Sequence, residues 1–171
     1  LRVDASTGMR VDASTGPNMS SVISLLAHLG LGDDATHCCR AIFRRPSTLS
    51  FEDFVIGLAA LDPNTMHGGV WNGLRAQYIF RCFDRDGNGQ LSLSELGVLM
   101  MRVRQAYGSA PLPVHEQQAE ARHTWELLGG GATGHGLSLA AFREGVGPRK
   151  LRGCSRLFRI ACPLFPRVDP A

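Results

Sequence analysis

The chain has 171 residues, 44% of them hydrophobic, and a formal net charge of +3, which is enough apolar material for one domain or two small lobes. No apolar run approaches the roughly 20 residues that span a bilayer, and no basic segment followed by an apolar stretch opens the chain, so no membrane span or secretory signal is read. Five cysteines, Cys38, Cys39, Cys82, Cys154 and Cys162, form no C-x-x-C pair and are odd in number. That pattern predicts reduced thiols and a cytoplasmic, intracellular setting.

The opening segment, residues 1–19, carries RVDASTG twice, from Arg2 to Gly8 and from Arg10 to Gly16. Two short polar copies cannot bury a face, so the segment is expected to be disordered. From Ser20 the pattern turns helical, with Val22, Ile23, Leu25, Leu26 and Leu29 ahead of glycines at 30 and 32. Asp33 or Asp34 is placed to cap a second helix through Cys38, Ile42 and Phe43. A helix–loop–helix unit over about 34–61 then follows, in which Arg44, Arg45 and Pro46 occupy the loop. Two cations there argue against a cation site.

The next unit, about 71–106, is the most specific. Residues 84–95, DRDGNGQLSLSE, meet every position of the pattern D-x-[DN]-x-[DN]-G-x5-E. A hard cation such as calcium takes six to eight oxygens, and such a loop supplies them from positions 1, 3, 5, 7, 9 and 12. These positions hold Asp84, Asp86, Asn88, Gln90, Ser92 and Glu95. Gln90 is expected to act through its backbone carbonyl, Ser92 through a bridging water, and Glu95 with both carboxylate oxygens. Gly89 meets the demand for a sharp turn with positive φ. One Ca2+ site is predicted, with Mg2+ as a competitor. Ala76, Ile79, Phe80 and Phe83 upstream, and Leu93, Leu96, Leu99, Met100 and Val103 downstream, have helical spacing.

A third unit, about 115–146, lies beyond the boundary YGSAPLPVH. A helix is expected from Glu116 to Leu128, and GLSLAAF echoes GQLSLSEL, with Leu137 matching Leu91 and Phe142 matching Leu96. GGGATGH offers no carboxylate, and Ala141 stands where Glu95 stands. Leu49, Leu91 and Leu137 recur at separations of 42 and 46 positions. Short loop strands leave backbone groups unpaired until two lie antiparallel, so loop 84–95 is expected to pair with loop 130–141; pairing of the first and second loops stays open. The tail, residues 149–171, has six basic residues against Asp169, a balance of +5 that leaves −2 for the rest of the chain. Leu151, Leu157, Phe158 and Ile160 interleave with the charges, which suits an acidic membrane surface. No nucleic-acid motif accompanies them. No P-loop or nucleophile motif is present, so no enzyme activity is expected.

The stretches FEDFVIGLAALDP, LRAQYIFRCFDRDGNGQLSLSEL and LSLAAFREGV resemble the neuronal calcium sensor, potassium-channel-interacting and calcineurin B branch of the EF-hand superfamily. The resemblance covers about residues 40–146 and is strongest from Leu74 to Met101. It implies an all-α, calmodulin-like fold over residues 20–148, with short β-bridges between loops, one competent hand and two degenerate ones. It also implies a calcium-dependent regulator that grips a protein target through an apolar groove at Leu96, Leu99, Met100 and Val103. Alternatives are a regulatory fragment of a larger enzyme, and a calcium buffer or structural calcium-binding protein.

Overall fold

The computed structural model describes residues 16–43, 49–62, 69–130 and 136–146. The repeat up to Ser14 and Thr15, the segment 44–48, most of the 130–136 loop and the tail 149–171 lie outside the described residues. Within them the fold is all-α, with a two-stranded bridge as its only sheet. The chain divides into two compact units, Leu1–Ala59 and Ala60–Ala171.

The first unit begins with α1, Met19–Leu26, started by Asn18, whose Oδ1 accepts the Ser20 N–H at 2.9 Å. The expected continuation to Leu29 takes another form: a π-helical turn, Ala27–Leu31, and a 3₁₀ turn, Gly32–Asp34, lead into α2, Ala35–Ile42. Asp34 occupies the N-cap position of α2, as the sequence suggests, but its side chain makes no capping bond. The reason lies in its backbone. Capping by a side-chain oxygen favours β-region dihedrals, and Asp34 leaves the 3₁₀ turn at φ −78°, ψ −5°. Val22 and Leu26 of α1 and Cys38, Cys39 and Ile42 of α2 are buried. Cys39 Sγ meets Met19 Sδ at 3.0 Å, and burial, with Cys38 adding to it, raises the Cys39 pKa. The helix Phe51–Leu61, α3, contributes Phe54, whose ring stacks on Phe43 at 6.2 Å.

The second unit contains α4 (Gly69–Phe83), β1 (Gln90–Leu91), α5 (Leu93–Ala106), α6 (Val114–Leu127), β2 (Leu137–Ser138) and α7 (Leu139–Val146). Helix α5 packs along α6, and α4 along α7. Ile79, Phe80, Leu91, Leu96, Leu99, Leu137 and Phe142 form the core, with Phe80 and Phe142 meeting edge to face at 5.7 Å. Arg75 is fully buried on α4 and donates from Nε to the Ala60 carbonyl at 2.8 Å. Strands β1 and β2 run antiparallel, with Gln90 opposite Ser138 and Leu91 opposite Leu137. The two leucines aligned by sequence are therefore cross-strand neighbours, and both point into the core.

Candidate metal centre

The loop between α4 and α5 is built from short polar contacts that converge on three carboxylates. Asp84 follows α4, and its N–H donates to the Phe80 carbonyl at 2.9 Å, so the helix fixes where its side chain begins. Asp84 Oδ2 accepts the Gly89 N–H at 3.0 Å. Asp86 accepts twice from Asn88, at Oδ1 from the backbone (3.0 Å) and at Oδ2 from Nδ2 (2.8 Å). Asn88 Oδ1 in turn accepts the Gln90 N–H at 2.7 Å. These tight turns place Gly87 and Gly89 at φ +70° and +81°, a region that residues with a Cβ avoid. Gly89 was expected there. Gly87 was not, and its signal was the first glycine in DGNG.

Glu95 closes the loop from the first turn of α5. Its Oε1 accepts the Arg85 N–H at 2.8 Å across the loop, while Oε2 accepts the Ser92 N–H and O–H, each at 2.8 Å. Ser92 Oγ also accepts the Glu95 N–H at 3.3 Å, which completes a reciprocal capping box at the start of α5. Ser92, expected to hold a bridging water at the ion, also starts the helix and orients the glutamate. Gln90 enters as the first residue of β1, with its side chain half-buried.

One carboxylate oxygen from each of Asp84, Asp86 and Glu95 lies within 4.8 Å of the other two. No cation pairs with them among the described residues. Asp84 Oδ1 is buried and has no hydrogen-bond partner. Such an oxygen is costly unless something compensates its desolvation, and a hard cation taking carboxylate and amide oxygens is the compensation this donor set fits. Asn88 and Ser92 are tied to the cluster through Asp86 and Glu95.

The electrostatics diverge along the loop. Burial raises the Asp84 pKa, outweighing the Gly89 N–H, and the neighbouring Asp86 and Glu95 charges raise it further. Burial also acts to raise Glu95, but the Ser92 N–H and O–H and the Arg85 N–H together outweigh it, so its pKa is lowered. Without metal, Asp84 therefore disfavours the folded state as pH rises through its titration. Glu95 favours the folded state above the ordinary glutamate range, and that contribution is lost as pH falls through its lowered pKa. Metal binding needs both carboxylates ionised. Calcium affinity measured against pH is accordingly expected to fall on acidification beginning above the ordinary aspartate range, with proton release on binding set by Asp84. An onset at or below that range would contradict this assignment.

The degenerate units repeat the helix start without the ligands. Ser50 Oγ accepts the Asp53 N–H at 3.0 Å and donates to Asp53 Oδ2 at 2.7 Å, and Ser138 Oγ accepts the Ala141 N–H at 3.3 Å. Ser50, Ser92 and Ser138 hold equivalent positions, and sequence reasoning missed their shared role as caps. Of the residues expected to line an apolar groove, Leu96 and Leu99 are fully buried and Met100 and Val103 are half-buried. The open groove, of about 730 Å³, lies on another face of α5, where Leu93, Gly97, Val98 and Met101 oppose Val114 and Ala121 of α6.

Residues 75–103 match the EF hand domain family. Comparison with curated proteins and with solved structures yields no match. The matched residues run from buried Arg75 through the whole carboxylate loop to Val103, so family, loop pattern and geometry support calcium binding at one place. No helix among the described residues is long and apolar enough to cross a membrane.

Proposed function

We propose that this chain is a calcium-dependent regulator of a partner protein, acting through a single competent site. The supporting observation is the buried, unpartnered Asp84 Oδ1 beside the Asp86 and Glu95 carboxylates. Asp84, Asp86, Asn88 and Glu95 hold the ion through side-chain oxygens, Gln90 through its carbonyl, and Ser92 keeps Glu95 aimed. When bound, calcium supplies the positive charge that offsets repulsion among the three carboxylates.

Regulation rests on the place of Glu95. It is the third residue of α5, and Leu96 and Leu99 follow it on the same helix with no exposed surface. A change in how Glu95 is held is passed to that helix, and its displacement uncovers the apolar side chains a partner grips. Met100 and Met101 suit such a surface because thioethers adapt to different partners. Five cysteines, odd in number and without a C-x-x-C pair, agree with work in a reducing cytoplasm, and the basic tail adds affinity for an acidic membrane surface.

Complete burial of Leu96 and Leu99 also favours a second reading, a buffer or structural calcium site. Titration calorimetry with and without magnesium is expected to give one calcium per chain with a dissociation constant of roughly 10⁻⁷ to 10⁻⁵ M. Fluorescence of an apolar dye that rises only with calcium supports the regulator. Calcium binding without that rise selects the buffer.

A further inference from the structure

The dipeptide Asn-Gly occurs twice in the chain, at Asn72–Gly73 and Asn88–Gly89. This pair is intrinsically reactive, because glycine carries no Cβ to obstruct the approach of its amide nitrogen to the preceding side-chain carbonyl. The two copies sit in opposite settings. Gly73 is the fifth residue of α4, past the opening N–H groups that a helix leaves without intrahelical partners. Gly89 lies in an exposed loop at φ +81°.

Three contacts set the geometry around Asn88, two of them acting on the reacting atoms. The nucleophile's proton points at a carboxylate, since Gly89 N–H donates to Asp84 Oδ2 at 3.0 Å. The carbonyl under attack is polarised by the Gln90 N–H at 2.7 Å from Asn88 Oδ1. Asp86 Oδ2 accepts from Nδ2 at 2.8 Å and so fixes the side-chain amide in place, while the proton that the departing nitrogen needs comes by way of Asp84.

We propose that Asn88 is a self-modifying position, deamidated through a succinimide in the calcium-free loop and protected when calcium is bound. The Gly89 N to Asn88 Cγ bond forms as the Gly89 proton passes to Asp84. The Cγ–Nδ2 bond breaks, and the amide nitrogen leaves as ammonia, carrying that proton. Water then opens the ring. Cleavage of the new bond yields aspartate, and cleavage of the original backbone C–N bond yields isoaspartate. No oxidant or reductant enters. Aspartate keeps an oxygen at the fifth loop position and adds a fourth carboxylate. Isoaspartate lengthens the backbone and moves Gly89 and Gln90 out of register, abolishing the cage. Protection rests on the proposed calcium reading, because Asp84, Asp86 and Asn88 are among the oxygens assigned to the ion; the reactivity does not.

The full chain is aged at neutral pH in chelator, digested with trypsin and read by mass for replacement of amide nitrogen by oxygen, with fragment ions placing the change. This readout does not register mass-neutral isomerisation at Asp86–Gly87. Asn88 is expected to convert at least about tenfold faster than Asn72, whose helix must open first. Asp84→Asn is expected to slow Asn88 on the order of tenfold, below the range of a positioned base in a dry active site. Calcium at about 100 times its dissociation constant is expected to slow conversion on the order of 10²-fold, because only the calcium-free fraction reacts. Equal conversion at Asn72 and Asn88, or a rate unmoved by Asp84→Asn, overturns the proposal. Calorimetry on the same sample separates the failures. If calcium binds and conversion continues, the protection is wrong. If calcium does not bind, the proposed function fails while the comparisons made in chelator still judge the chemistry.

Discussion

Replacing Glu95 by glutamine is expected to weaken calcium binding by on the order of 10²-fold, about 2.7 kcal/mol, while leaving the calcium-free fold nearly unchanged. The substitution keeps the shape of the side chain and removes one of three converging charges together with one of two ligating oxygens. Its effect without calcium is small because two changes oppose each other. One hydrogen bond from the set made by Ser92 and Arg85 is lost, at a cost of about 1 kcal/mol, while crowding against Asp84 and Asp86 is relieved. Calorimetry should therefore show a large loss of affinity, and thermal melting in chelator a small shift. A dissociation constant within about threefold of the parent, less than 1 kcal/mol, would mean that Glu95 is a helix cap and no more.

The loop was legible because its chemistry constrains residue type at fixed spacing. A hard cation needs oxygens, and the backbone needs glycine at a left-handed turn, so Asp84, Asp86, Asn88, Gly89 and Glu95 announce themselves. The pairing of β1 with β2 was legible for a similar reason: Leu91 and Leu137 stand in the same frame and share one core. Serine was the weak signal. Ser50, Ser92 and Ser138 were aligned correctly, but the same residue type serves as cap, water anchor or surface filler, and only the geometry reveals the shared capping role. Asp34 shows the converse, a good capping residue whose backbone never adopts the capping conformation.

The apolar groove was the least legible feature. Helix α5 carries Leu93, Leu96, Val98, Leu99, Met100, Met101 and Val103, which leaves nearly the whole circumference apolar. Periodicity then cannot say which stripe faces the core. Packing resolves it: Leu96 and Leu99 face inward with Phe142 and Leu137 also buried, while Leu93, Val98 and Met101 face the groove beside α6. The groove open in this conformation includes Met101 but neither Leu96 nor Leu99, the buried side chains proposed to be uncovered for a partner. That difference gives the calcium-dependent dye measurement its discriminating power.

Phe142→Ala is expected to be the most destabilising single change in the second unit, costing about 3–5 kcal/mol. Domains of this size hold only about 5–15 kcal/mol in total. Phe142 has no exposed surface, and its ring meets the edge of Phe80 on α4, so it joins the degenerate unit to the helix that positions Asp84. Loss of the ring loosens α7 against α4 and, with it, the antiparallel contact of Leu137 with Leu91. The effect should therefore reach a site to which Phe142 contributes no ligand. Calcium affinity is expected to fall together with stability, and calcium at about 100 times its dissociation constant should restore about 2.7 kcal/mol of the loss. Phe142→Leu, which fills most of the space, should retain most of both. If Phe142→Ala lowers the melting temperature while calcium affinity stays at the parental value, the degenerate unit supports the core without supporting the loop. A parallel loss of both shows that this unit, with no carboxylate of its own at the matching position, is kept because the competent loop depends on its strand.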